Sequence, residues 1–278
     1  MNFKLKSLVA AVVLAASVPA HAALENGITN NSSMSLIALD TVNNVSAVFD
    51  LGVNFADFTF LTNATANATN VASTGYSATS HAFDFTTGDW ASSWSAFSAA
   101  AGNLANVKWA VIGSDNNGTG TAARGFISTY SGAATGMATT SVTTALGQMD
   151  TFYTAQTAAN IETHSTAAAG ASEAVVGNAA YTSMVNGFGT SKFFNAGNTV
   201  AVGNVGDQLF FAQYASGANG LAAASFATSA LAGSYFSLGA NGTLNYVAVA
   251  AVPEADTSAM MLAGLGLMGF IARRRTKA

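Results

Sequence analysis

Val107-Lys108-Trp109-Ala110-Val111-Ile112-Gly113-Ser114 carries the strongest strand signal in this 278-residue chain. Val107, Trp109 and Val111 alternate with Lys108, Ala110 and Ile112, the period of two that sends successive side chains to opposite faces of a sheet. The polar run Asp115-Asn116-Asn117-Gly118-Thr119-Gly120 turns the chain, and Gly125 to Tyr130 returns beside it as the second arm of a hairpin.

The same logic extends in both directions. Ser35 to Val42 and Val45 to Leu51 are apolar-rich runs around Asn43-Asn44, a pair that tolerates positive φ, so a hairpin is expected, with Asp50-Leu51-Gly52 ending its second strand. Asp207 to Tyr214, with Leu209, Phe210 and Phe211, reads as a buried strand. Ser234 to Leu238 and Thr243 to Val249 flank Gly239-Ala240-Asn241-Gly242, a hairpin loop whose Asn-Gly pair supplies positive φ cheaply. Asn63 to Ala72 lacks large apolar residues and reads as a loop.

Two helices interrupt these strands. Asp89 is placed to accept from the free amides of a helix beginning near Trp90, and Trp90, Trp94 and Phe97 then share one face as a core stripe. Between Ser141 and His164, the residues Val142, Leu146, Met149, Phe152 and Tyr153 follow amphipathic helical spacing. No fixed repeat period is present. The expected fold is α+β: an antiparallel β-sheet or sandwich with one or two inserted helices, in one domain covering 23–252.

Cysteine is absent, so packing alone must hold this domain. Of the 13 acidic residues, Glu254 and Asp256 lie beyond Val252; of the 9 basic ones, Lys108, Arg124 and Lys192 lie inside the domain. The domain therefore carries eleven acids against three scattered bases, a net charge of −8, where the whole chain has −4. Without a cationic patch to neutralise phosphates, a nucleic-acid partner is excluded.

Both ends are strongly patterned. Lys4 and Lys6, an apolar stretch from Leu8 to Val18 and the small-residue site Ala20-His21-Ala22 read as a signal peptide over 1–22, cleaved by signal peptidase before Ala23. At the other end stand Pro253-Glu254-Ala255, an apolar run from Ala259 to Ala272, and Arg273-Arg274-Arg275. Those 14 apolar-run residues make a helix of about 21 Å against a hydrocarbon core of about 30 Å. Such a transmembrane helix is a marginal anchor. Arginine stems lying along lipid and local thinning of the bilayer make up the deficit at modest cost. Basic residues flanking a span stay on the cytoplasmic side, so Lys4, Lys6 and Arg273 to Arg275 face inward. Pro253-Glu254 is then left just outside the inner membrane.

This arrangement closely resembles the PEP-CTERM sorting signal, a Pro-Glu-Pro triplet followed by a short polar spacer, a Leu/Ala/Gly-rich span and a terminal Arg cluster. Pro253 and Glu254 supply the triplet's first two residues, and Met261 to Arg275 matches the remainder nearly position by position. Ala255 stands where the family has its second proline; without that fixed ring Glu254 is less biased toward extended backbone, and slower processing is expected. The resemblance implies a Gram-negative bacterium that makes exopolysaccharide. It also implies processing by exosortase, a membrane-embedded cysteine transpeptidase, over a sorting signal at 253–278. Weaker likenesses, at Asp50-Leu51-Gly52, Val107 to Val111 and Gly242-Thr243-Leu244, are to other exported proteins of this kind and imply no activity.

Motifs for chemistry are sparse. His81 and His164 lack paired-ligand spacing, and Glu162 and His164, two apart, point to different helix faces. There is no Gly-x-Ser-x-Gly elbow. Asp84, Asp89, Asp115 and Asp150 are candidates for a glycosidase carboxylate pair, though spacing selects none of them. Asp115, Asn117, Thr119 and Gly120 imitate half a calcium loop, but Phe126 occupies the closing position where a bidentate Glu belongs.

The expectation is thus a protein without catalytic residues, cofactor or metal: an exported surface or extracellular-matrix protein, transiently held in the inner membrane, processed by exosortase and associated with exopolysaccharide or biofilm. The alternative is a secreted carbohydrate-binding module or polysaccharide-acting enzyme, in which the Trp90-Trp94 stripe stacks on sugar rings.

Overall fold

The structure, a computed structural model, describes residues 32–58, 79–116, 125–130, 134, 136–158, 171–175, 181, 202–215, 224–229 and 233–248. Its strands are β1 (Ser33–Asp40), β2 (Val45–Asn54), β3 (His81–Asp84), β4 (Val107–Asp115), β5 (Gly125–Tyr130) and β6 (Ala171–Val175). They continue with β7 (Gly203–Asn204), β8 (Gln208–Ala215), β9 (Ser225–Thr228), β10 (Tyr235–Leu238) and β11 (Thr243–Val247). The helices are α1 (Phe55–Phe58), α2 (Ala91–Ala101) and α3 (Thr139–Ala158). All strands join one sheet in the order β3-β11-β10-β8-β5-β4-β1-β2-β6, with β7 also beside β4 and β9 also beside β8. Every pairing is antiparallel.

The alternation read in Val107 to Ser114 is realised, with both faces of β4 buried. Ala110 and Ile112 meet a core formed with Ile37, Leu39, Phe126 and the stripe Val142, Leu146, Met149, Phe152 and Tyr153 of α3. Val107, Trp109 and Val111 meet a second core with Leu36, Phe49, Trp94 and Phe97. Covering a sheet on both faces requires the chain to supply a lid for each, and α3 and α2 are those lids.

The sheet also closes on itself. Strand β8 pairs with β10 through Gln208 and Leu209, and with β5 from Phe210 to Ala215. Beyond that switch, β10, β11 and β3 swing over the second core, where Phe58 lies 5.6 Å from both Phe211 and Phe236, ring centre to ring centre, and 5.1 Å from Tyr246. Phe83 of β3 and Val45, Ala47 and Phe49 of β2, from opposite sides of the strand order, therefore share one apolar interior, and the sheet is nearly closed and barrel-like. Strand β7 is fastened by its carbonyl and side chain: Trp109 Nε1 donates to the Asn204 carbonyl at 2.7 Å, and Lys108 Nζ to Asn204 Oδ1.

The three expected hairpins form. Asn44 has φ 58° in the β1–β2 turn, and Gly242 has φ 82° in the β10–β11 turn, each at a position the sequence had marked for positive φ. The β4–β5 pair is present, with 117–124 outside the described residues. Asp40 secures the first turn by accepting from the amide of Val42 at 2.7 Å and from Asn43 Nδ2 at 2.8 Å. Asn43 Nδ2 also donates to the Ala101 carbonyl at 2.8 Å, tying the turn to the end of α2.

Two local expectations are corrected. Strand β2 does not stop at Gly52 but runs to Asn54 through an irregularity, in which Ser33 faces Asn54 and Ser35 faces Asp50. Asp50 Oδ1 accepts from the Gly52 amide at 2.8 Å, and Gly52, at φ 68°, kinks the strand as a bulge without ending its pairing. Asp89 is not the helix cap. It sits inside a 3-10 turn, Gly88–Trp90, that runs directly into α2, so the Ala91 amide donates to the Gly88 carbonyl and needs no side-chain acceptor. Helix α3 is described as far as Ala158, and 159–164 lie outside the described residues.

Candidate functional site

Three features of the domain bear on chemistry: the tryptophan stripe, the carboxylates, and a buried polar layer under the start of β1. The stripe is interior. Trp94 and Phe97 are 5% and 0% exposed, and both belong to the second core. Trp90 is half-buried at its edge, 5.1 Å from Phe85 ring to ring, and its Nε1 donates to the Asp50 carbonyl at 2.9 Å. A sugar ring would have to displace the core to stack on Trp94, so the row that motivated carbohydrate contact serves packing.

The four carboxylates considered for a pair divide between the faces of the sheet. Asp84 and Asp89 are exposed near the β3 wing, whereas Asp150 is buried on α3, where Asn116 Nδ2 donates to it. Asp115 ends β4 next to Asn116, so the fold brings Asp115 and Asp150 to the same end of that strand. Thr86 donates to Asp84 Oδ1 from its hydroxyl at 2.6 Å and its amide at 3.0 Å, which holds the carboxyl below its ordinary value of 3.8. Thr86→Val removes the larger of these two bonds. The Asp84 titration midpoint, followed by NMR, is expected to move up toward 3.8 in that variant.

Asp40 and Asp50 were missed in the sequence and are both buried. Asp50 accepts from Ser33 Oγ at 2.8 Å and the Gly52 amide at 2.8 Å. The available signal was positional: Asp40 closes β1 just before a turn and Asp50 stands two residues before the bulge glycine Gly52, places where a side chain can take up free amides. Around Asp50 lies the polar layer. Tyr153 donates its hydroxyl to the Ser33 carbonyl at 2.8 Å, and the Ser114 amide donates to Ser32 Oγ at 2.6 Å. This layer joins the first described residues to β4 and α3.

Burial pushes the Tyr153 phenol well above its ordinary 10.0, with the Asp50 and Asp150 carboxylates adding to the rise. A raised folded value means its contribution to stability is whole below about 10 and is lost as pH climbs toward the folded value. The expected result is a stability loss above that pH that Tyr153→Phe lessens, with Tyr130, also raised by burial, accounting for part of what is left. The variant itself should cost about 0.5–1.5 kcal/mol at neutral pH. Urea melts at two pH values check both.

His81 stacks beside Tyr246 at 6.5 Å on the edge strand β3, and Glu162 and His164 lie outside the described residues. Among the described residues no group of three or more His, Cys, Asp or Glu is placed to hold a metal ion. Of the calcium-like loop, Asn117, Thr119 and Gly120 are outside the described residues, while Phe126 is 1% exposed and sealed in the first core.

The sequence-marked sites at both ends, Ala20, Ala22 and Ala23, Pro253, Glu254 and Ala255, and Arg273, Arg274 and Arg275, also fall outside the described residues, as does the span 259–272. Among the described residues no helix is long and apolar enough to cross a membrane. What the structure fixes is where the tail departs. Strand β11 ends at Val247, and the next amide, that of Ala248, donates to Ser80 Oγ at 3.0 Å.

A family model described as the PEP-CTERM protein-sorting motif matches residues 251–275, three residues beyond that clasp. The chain carries a PEP-CTERM sorting motif. No curated protein and no solved structure matches the chain. The PEP-CTERM match takes in Pro253, Glu254, Ala255 and the arginines at 273 to 275, and supports the reading of the chain as an exosortase substrate.

Proposed function

We propose that this is an exported surface or extracellular-matrix protein. Exosortase removes its tail at the outer face of the inner membrane, and the domain then acts without catalysis in the exopolysaccharide or biofilm layer of a Gram-negative cell. The observation that carries this reading is the PEP-CTERM motif at 251–275. The domain's composition agrees with it: net charge −8, no cysteine and no cationic patch suit a soluble body outside the cell. The non-catalytic reading draws support from Trp94, which is committed to packing in the second core. The marginal length of the apolar run, about 21 Å against about 30 Å, suits temporary tethering. Partners are signal peptidase, exosortase and exopolysaccharide, with the inner membrane as the intermediate station.

Fractionation of cells with and without exosortase tests this. With the enzyme the domain should leave the membrane fraction; without it the full-length tail should hold the chain there. Equal distribution in both strains would refute processing.

A further inference from the structure

We propose that the end of the sheet where β11 finishes is the face this domain presents to the exosortase that processes it; this rests on the sorting function proposed above. Strand β11 is held on both flanks to its last residues, Tyr246 opposite His81 on β3 and Val247 opposite Tyr235 on β10. The Ser80 hydroxyl then fixes the Ala248 amide at 3.0 Å. From Ala248 to Pro253 is five residues, which span at most about 18 Å when fully extended. A domain of this length has a radius of gyration near 17 Å by the usual scaling. The tether is thus no longer than the body is thick, and an enzyme holding Pro253-Glu254 in its active site has this end of the sheet, and not the opposite one, within that reach.

The chemistry of that end suits the task. Tyr235 and Val247 face each other half-exposed, and Ala82 is exposed on the neighbouring strand. The wing's carboxylates lie at the opposite end: Asp84 faces Thr243, and Asp207 follows Gly206, whose amide bonds the Leu238 carbonyl at 2.8 Å. A domain of net charge −8 therefore keeps Asp84 and Asp207 away from the weakly apolar root of its tail, where the one exposed carboxylate close by among the described residues is that of Asp57, beside Phe58, whose ring lies 5.1 Å from Tyr246.

The experiment places a photoreactive phenylalanine analogue at Tyr235, or at the exposed turn residue Ala240 as the distal control, in the full chain. The cells carry an inactive exosortase that retains substrate. Position 235 should give an adduct with the enzyme several-fold above position 240. A Gly/Ser linker of about 20 residues inserted between 250 and 251, reaching roughly 25 Å on average, should lower the yield at 235 to that at 240. Equal yields from the two positions, a yield at 235 indifferent to the linker, or adducts with lipid alone would overturn the proposal. The same cells with active exosortase separate the two readings: an unprocessed tail sinks the sorting function, whereas normal processing without the position-dependent adduct sinks the docking face alone.

Discussion

Changing Arg273, Arg274 and Arg275 together to glutamine is expected to abolish correct processing while leaving the domain folded. Each basic residue at an anionic cytoplasmic surface contributes about 1 kcal/mol. Losing three removes roughly 3 kcal/mol, a factor on the order of 100 in the preference for keeping the end of the tail inside. The apolar run is too short to hold itself in place by length, so Lys277 is the one basic residue left to hold the end inside. The tail should slide or pass outward, carrying Pro253-Glu254 away from the plane at which a membrane-embedded enzyme cuts. Pulse-labelling would show an uncleaved, misplaced chain. Restoring three lysines should recover most of the effect, because retention depends on charge and not on the guanidinium shape; failure of that rescue would mean the arginines are read individually.

Gly242→Ala is expected to destabilise the domain by about 2–5 kcal/mol, much of the 5–15 kcal/mol available to a typical fold. Two costs combine. Gly242 holds φ 82°, where a side chain adds about 1–2 kcal/mol. A Cβ there would also stand 2.6 Å from Trp94 Nε1 and 2.9 Å from Thr86 Cγ2, so the second core must shift, at roughly 1–3 kcal/mol. Gly88 supplies the control: its φ is 62°, yet a Cβ would meet no atom within 4 Å. Gly88→Ala should therefore show the backbone cost alone. Denaturant midpoints of the two variants separate strain from collision, and equal losses would refute the close packing of the β10–β11 turn on Trp94.

Much of this architecture was legible because its signals are local. Val107 to Ser114 alternates, Val142 to Tyr153 follows a helical stripe, and Asn44 and Gly242 sit where positive φ was required. The sequence read less well where pairing partners are distant. Strand β3 has four residues and exists because Phe83 and His81 pair with Leu244 and Tyr246, far along the chain. Strands β6, β7 and β9 are similarly short and gave no distinct pattern. The polar layer of Asp50, Ser33 and Tyr153 was invisible for the same reason: its members come from three elements. The Asp89 cap failed because a 3-10 turn delivers backbone carbonyls to the amides that a carboxylate would otherwise serve. The tail is the converse case, since its triplet, span and arginines are contiguous and were recognisable without any fold.

A short, arginine-held span should present Pro253-Glu254 for removal. The intact mass of the mature extracellular protein tests it most directly, in cells that contain exosortase. The expected product begins at Ala23 and lacks everything from the 253–255 triplet onward, apart from any group transferred by the enzyme. A secreted product that still carries Arg275 would contradict it.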